Sequence, residues 1–184
     1  ASQRVDGDYF DFFTFGKSRL DLVVADIMGK GIPAALLGAG SKSLFQRVIR
    51  HLTHSLLPYG CLPQAHEIVN SVHRLLTPDL IALNSYLTLC YAHFDLEQYV
   101  CNFVDCGHPR MIHYRAKTGE IVLLNGENLP LGFTDNEIYV PCSTSFAPGD
   151  IFVFYSDGIT EALCPSGQML GESGLVEMLH SVQE

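Results

Sequence analysis

The chain has 184 residues, 47% hydrophobic and 17% charged, with eleven basic against twenty acidic side chains and a net charge of -9. That length suits one domain with a sizeable core, and the negative balance argues against a nucleic-acid surface. No apolar run approaches the ~20 residues of a membrane span and the first residues form no secretory signal, so no membrane contact is expected of this segment.

Ser2-Gln3-Arg4 leads straight into a strand, which reads as a piece cut from a longer protein. Gly7 to Phe15 (GDYFDFFTF) is an aromatic strand, and Leu20 to Asp26 is a second, joined by the polar turn Gly16-Lys17-Ser18-Arg19 as a hairpin. A three-residue loop, Gly16 to Ser18, sets Asp8 opposite Asp26; a four-residue loop sets it opposite Ile27. Either way two acids lie at one end of adjacent strands. Direct cross-strand Cβ atoms are ~5 Å apart, where like charges repel and a divalent cation reverses the sign.

Gly29 and Gly31 permit a turn after Asp26, and Pro33 suits the first helical position. Leu37, Leu44, Phe45, Val48, Ile49 and Leu52 then recur at helical spacing. Thr53 to Leu62, with Pro58 and Gly60, reads as a loop. A second helix opens at Pro63, with Ala65, Ile68, Val69, Val72, Leu75 and Leu76 on one side. After Pro78 the period becomes that of strands: Tyr86 to Phe94 with Tyr99 to Asp105, then Arg110 to Arg115 with Glu120 to Leu124. The loop Asn125 to Gly132 follows, then a strand over Glu137 to Phe146 and the turn Ala147-Pro148-Gly149-Asp150. Ile151 to Tyr155 reads as a buried apolar strand that ends, like Leu20 to Asp26, in an acid, Asp157. Helical signal resumes near Thr160 and places Leu175, Met178, Leu179 and Val182 at helical spacing. Consecutive hairpins with helices clustered at the two ends of the sequence imply an α+β fold of antiparallel sheets with outer helices.

Six cysteines, at positions 61, 90, 101, 106, 142 and 164, have no CxxC spacing and read as reduced thiols of an intracellular core. Cys101, Cys106, His108 and His113 match no closed zinc motif. Gly29-Lys30-Gly31-Ile32-Pro33-Ala34 satisfies G-x-G-x-x-A, but Asp26 just ahead would repel a pyrophosphate and the following elements are hairpins. Among eight histidines only His108, on the tight loop Cys106-Gly107-His108-Pro109, stands out. Asp8, Asp26 and Asp157, each at a strand end, form an oxygen set of the kind Mg²⁺ and Mn²⁺ take. Taken singly, each acid could equally cap a turn.

Five motifs in order carry a resemblance: Gly7-Asp8-Tyr9-Phe10-Asp11; Asp26-Ile27-Met28-Gly29-Lys30-Gly31-Ile32-Pro33-Ala34-Ala35-Leu36; Gly107-His108-Pro109; Leu129-Pro130-Leu131-Gly132; and Tyr155-Ser156-Asp157-Gly158-Ile159-Thr160-Glu161-Ala162. Together they resemble the bacterial branch of the PP2C-type (PPM) metal-dependent serine/threonine phosphatases, the group of sporulation and stress-response sigma-factor regulators. The resemblance implies an α-β-β-α sandwich of two antiparallel sheets flanked by helices. It implies two Mn²⁺ or Mg²⁺ ions, with Asp26 bridging them, Ile27 lending its carbonyl to the first, Asp157 binding the second and Asp8 holding metal-bound waters. The implied reaction is hydrolysis of phosphoserine or phosphothreonine in a small regulatory phosphoprotein, an anti-sigma factor antagonist. An upstream sensor domain, a cytoplasmic setting and room for a homodimer come with it. Asp6 stands where the family often has glycine, and the family's closing acidic pair and terminal strand do not occur before Glu184. The expectation is therefore a fragment of a longer regulatory protein with weakened activity, the alternative being a non-catalytic PP2C-like binding module.

Overall fold

The computed structural model describes residues 7–165 and 167–181, so Asp6 and Val182 lie outside the described residues. Strand β1 (Tyr9–Phe15) pairs antiparallel with β2 (Arg19–Ile27) from Tyr9 opposite Ala25 to Phe15 opposite Arg19, which is the three-residue-loop register. Gly16 makes that loop possible with a φ of 65°. β2 alternates strictly: Arg19, Asp21, Val23, Ala25 and Ile27 are buried, while Leu20, Leu22, Val24 and Asp26 are half-buried. β1 is an edge strand whose outward Phe10 and Phe12 are exposed. Two contacts blunt that edge: Lys42 Nζ donates to the Phe10 carbonyl at 2.9 Å, and the Asp11 carboxylate accepts the Phe12 N–H at 3.0 Å.

Helix α1 (Ile32–Leu56) starts from Gly31 at φ 78° with proline in its first turn. It buries Ala34, Gly38, Ser41, Leu44, Phe45, Val48 and Ile49, with Leu37 and Leu52 packed at the margin of the core. It continues through Thr53 to Leu56, residues expected in a loop, because Pro58 falls in the first turn of a following 3-10 turn (Leu57–Tyr59), where its missing N–H costs nothing. Helix α2 (Ala65–Ala82) opens with a reciprocal Gln64–Glu67 capping box. It runs through Pro78, which was expected to end it. Pro78 faces solvent, while Leu76 and Leu80 on either side are anchored in the core, and that burial offsets a proline cost of roughly 3 kcal/mol. Leu75, expected on the core face, is 57% exposed.

Strands β3 (Leu87–Asp95), β4 (Val100–Cys106), β5 (Met111–Arg115), β6 (Glu120–Leu124), β7 (Cys142–Ser145) and β8 (Ile151–Val153) follow, then helices α3 (Asp157–Thr160) and α4 (Gly171–Ser181). They complete two antiparallel sheets, one of order β1-β2-β3-β4-β7 and one of order β6-β5-β8. The α+β class with two antiparallel sheets and flanking helices is thus the observed one. β7 covers only part of the strand expected over Glu137 to Phe146. Ahead of it, side-chain amides replace the ladder: Asn70 pairs with both backbone groups of Tyr139 (2.9 and 3.0 Å), and Asn128 with both of Val140 (3.1 and 3.0 Å). β8 is also shorter than expected and is not buried, with Ile151 51% exposed, because it is an edge strand paired with β5 alone.

The chain divides into two compact units: residues up to His108 together with Asn125–Phe146, and Pro109–Leu124 with the residues from Ala147 onward. In the first, α1 and α2 cover the odd-numbered face of β2 and its neighbours, and Phe45 stacks on Tyr91. In the second, Asp150 ties two turns together. It accepts the N–H groups of Ala116 and Ala147 at 3.0 and 2.9 Å and meets Nε2 of the fully buried His113 at 2.9 Å. All six cysteines are free; Cys90, Cys101 and Cys106 are buried as core thiols, whereas Cys61, expected in the core with them, is exposed. Among the described residues no helix is long and apolar enough to cross a membrane.

Candidate metal centre

The β1–β2 register, continued by one residue beyond Tyr9 and Ala25, sets Asp8 across from Asp26. Asp8 is exposed and Asp26 half-buried, so neither carboxylate bears the full penalty of desolvation. Asp26 lies on the side of β2 turned away from the helices, whereas Ile27, next in the strand, is buried beneath them.

Two glycines fix how this end is stacked. A Cβ on Gly7 would lie 2.9 Å from the Ile27 carbonyl oxygen, and a Cβ on Gly38 would lie 2.9 Å from the Gly7 carbonyl oxygen. Helix α1 therefore rests on the Gly7 backbone, and the Gly7 backbone rests on Ile27, at distances no larger residue allows. The turn that follows is held by Gly29 at φ 112°, Gly31 at φ 78° and a bond from the Met28 N–H to the Tyr86 carbonyl at 2.9 Å. Because both neighbours of β2 run antiparallel to it, Gly29 and Gly31 do not sit in the parallel strand–helix–strand unit of a dinucleotide site.

The donors gathered here are all oxygen: the carboxylates of Asp8 and Asp26 and the carbonyl of Ile27. With no thiol or imidazole among them, the set fits a hard divalent ion such as Mg²⁺ or Mn²⁺. The Gly7 cradle fits too, since a side chain at position 7 would fill the approach to the Ile27 carbonyl.

Asp157 belongs to the second unit. It is exposed and stands as the first residue of α3, its carbonyl accepting from the Glu161 N–H at 2.7 Å and the Thr160 hydroxyl at 3.0 Å. The expected end of a buried strand is therefore an exposed helix start. The structure brings Asp8 and Asp26 to one end of a hairpin. Among the described residues no group of three or more His, Cys, Asp or Glu side chains is gathered closely enough to hold a metal ion.

Three further polar residues lie toward this end of the sheet and are not marked by any motif spacing in the sequence. Thr88 is the direct partner of Asp26 across the β2–β3 ladder. Asp105, nearly buried at the end of β4, accepts the N–H of His108 at 3.0 Å and of Gly126 at 2.8 Å. Burial pushes its carboxyl above the ordinary carboxylate range, against those N–H bonds. Asn128 donates to the Asp105 carbonyl at 2.9 Å. In this way the Gly107-His108-Pro109 loop and the loop ahead of Leu131 are fastened to one residue, and Leu131 exchanges two 2.9 Å bonds with Leu87, opposite Ile27. The signal in the sequence is an acid next to the end of a largely apolar strand, the pattern that Asp26 also follows in β2.

Residues 16–184 match the sequence profile of Stage II sporulation protein E (SpoIIE). The phosphoserine phosphatase RsbU of Bacillus subtilis (strain 168) is 26% identical over 166 residues, which are 90% of this chain and 46% of RsbU. The chain spans about half the length, or less, of the curated relatives it matches. Among solved structures, the SiaA-PP2C domain of Pseudomonas aeruginosa superimposes with a TM-score of 0.77 at 18% identity, over 96% of this chain and 66% of that one. The catalytic domain of the serine threonine protein phosphatase PstP, solved in complex with 2 manganese ions, superimposes with a TM-score of 0.57 at 15% identity, over 100% of this chain and 87% of that one.

Proposed function

Since the chain belongs to the stage II sporulation protein E (SpoIIE) family, we propose that it is a divalent-metal-dependent phosphatase domain acting on phosphoserine or phosphothreonine in a protein partner. The observation that carries this reading is the hairpin register, which sets Asp8 across from Asp26 next to the glycine-lined approach to the Ile27 carbonyl. Asp26, Ile27 and Asp8 would hold one Mn²⁺ or Mg²⁺, and Asp157 would serve a second ion. Bound there, the ions supply positive charge against the phosphate and Lewis acidity toward water and the phosphoryl group.

The chain's own residues supply the frame. The short β1–β2 loop fixes the spacing of the two carboxylates, and the Gly38–Gly7–Ile27 stack keeps them from drifting apart. Helix α1 begins just beyond, with no acid in its first turn and the exposed Lys30 ahead of it, so its free N–H groups and that cation favour a phosphate dianion. No side-chain nucleophile is needed for direct attack by water. The name of RsbU supports phosphoserine as substrate, and the sigma-factor setting supports an anti-sigma factor antagonist as the protein bearing it. A sensor domain ahead of this segment, a cytoplasmic setting and a homodimer belong to the same proposal.

The test is hydrolysis of a phosphoserine peptide with and without Mn²⁺. Activity should require the ion, and Asp26→Ala should lower it at least ~100-fold, about 2.7 kcal/mol of transition-state stabilisation. Hydrolysis that persists under chelation, or full activity in Asp26→Ala, overturns the reading. One observation favours the second reading, a non-catalytic binding module: among the described residues no group of three or more ligating side chains is gathered. Phosphopeptide binding without turnover at saturating Mn²⁺ would decide for it.

A further inference from the structure

Thr88, across the ladder from Asp26, and His108, within reach of Thr88, have no part in the function proposed above. Thr88 stands directly opposite Asp26 in the β2–β3 ladder, and cross-strand partners present their side chains on the same face. The Thr88 hydroxyl is 3.2 Å from His108 Nδ1. His108 is only 6% exposed, and its backbone is clamped: Asp105 Oδ1 accepts its N–H, while Gly107 before it takes a φ of 71° against Pro130. A Cβ at Gly107 would come within 3.0 Å of the Pro130 ring, so the turn that delivers the imidazole has little freedom.

The direction of the hydrogen bonds follows from chemistry. An ionised carboxylate only accepts, and a threonine hydroxyl has one proton to give. A hydroxyl facing Asp26 donates to it, since a charge-assisted bond is about twice as strong as a neutral one. Its oxygen is then left to accept from His108, which requires the Nδ1–H tautomer. We propose that His108, Thr88 and Asp26 form a hydrogen-bond relay, His108 Nδ1–H to Thr88 Oγ1 and Thr88 O–H to the Asp26 carboxylate, with Thr88 and His108 as positioning residues. The relay fixes the Asp26 rotamer before an ion arrives, which reduces the ordering cost of binding. Asp105 serves it from one step further away by holding the His108 backbone.

The effect on an ion rests on the reading of Asp26 as a metal ligand; the relay itself does not, and the experiment separates the two. In the metal-free protein, ¹⁵N–¹H correlation of the imidazoles, with His108 assigned by His108→Gln, should show Nδ1 protonated. Thr88→Val and Asp26→Asn should each shift that signal. In the Thr88→Val background, Asp26→Asn should add nothing, because the coupling passes through the hydroxyl. A ring signal unmoved by Thr88→Val, a bare Nδ1, or an Asp26→Asn shift that persists with valine at 88 overturns the relay. Calorimetric titration with Mn²⁺ should find Thr88→Val about tenfold weaker than the parent and Thr88→Ser close to it. Parent-like affinity in Thr88→Val overturns the positioning role. Should the parent take up no Mn²⁺, or Asp26→Ala bind like the parent, the metal-ligand reading falls and the ring signals alone decide the relay.

Discussion

At its N-terminal end β2 buries Asp21 completely, whereas at its C-terminal end Asp26 stays half-exposed with Asp8 next across the ladder. Asp21 is enclosed: Arg19 donates to both of its oxygens at 2.8 and 2.7 Å, and the Tyr91 hydroxyl donates at 2.7 Å. Arg19 also donates to the Pro63 carbonyl at 2.6 Å and lies 4.7 Å from the centroid of the Phe15 ring. One strand, two residues of the same type, and opposite surroundings: a matched cation closes the first end, while acids share the second. A buried carboxylate with its cation in place serves the fold, and desolvation makes the loss of either partner costly. Under the proposed function, the carboxylates at the accessible end would serve a ligand that brings the positive charge.

The sharpest way to break this contrast is at the closed end. Asp21→Asn leaves the Arg19 charge buried against a neutral amide and should lower unfolding free energy by roughly 3–5 kcal/mol in urea titration. Mn²⁺ affinity of the folded fraction should stay unchanged. A large loss of affinity would show that the two ends are not independent.

Gly38→Ala sharpens the contrast from the other side. Its Cβ would meet the Gly7 carbonyl oxygen at 2.9 Å, so α1 or the Asp8 segment must shift. A stability loss of about 1–3 kcal/mol is expected, together with weaker Mn²⁺ binding, both read on the same purified variant. Stability lost without any change in affinity would mean that the glycine stack serves packing alone.

The smallest effect expected is pH-dependent and belongs to the closed end. Burial, and then the Arg19 charge, hold His93 below the ordinary histidine value, with Asp21 opposing them. With a folded pKa below the unfolded ~6.5, the native state binds fewer protons. The stability this group allows is complete above pH ~6.5 and is lost as pH falls from there through its lower folded value. His93→Gln should flatten that part of the stability curve and leave the Mn²⁺ end untouched; an unchanged acid limb in urea midpoints would contradict it.

What the sequence disclosed follows from the range of the forces involved. The hairpin register was legible because period-two alternation and a short polar loop leave only two alignments, and the structure takes the one that, continued by one residue, sets Asp8 across from Asp26. The passage of α2 through Pro78 was not legible, because the opposing term is tertiary: Leu76 and Leu80 bury against other elements. The shortening of β7 was hidden for the same reason, since the amides that replace its ladder come from Asn70 and Asn128, 69 and 12 residues away. Thr88 gains its meaning only from the cross-strand register that sets it opposite Asp26, and Asp105 only from the loop N–H groups of His108 and Gly126 that the fold brings to it. Asp157 is legible in its motif, but the apolar run ahead of it, which reads as a buried strand, forms only a short, partly exposed one because it lies at a sheet edge.

Calorimetric Mn²⁺ titration of the parent, Asp26→Ala and Asp21→Asn tests the contrast between the two ends of β2 most directly. The parent and Asp21→Asn should bind alike, and Asp26→Ala should lose at least tenfold in affinity, about 1.4 kcal/mol. Equal binding by Asp26→Ala and the parent would contradict a metal centre at that end of the strand.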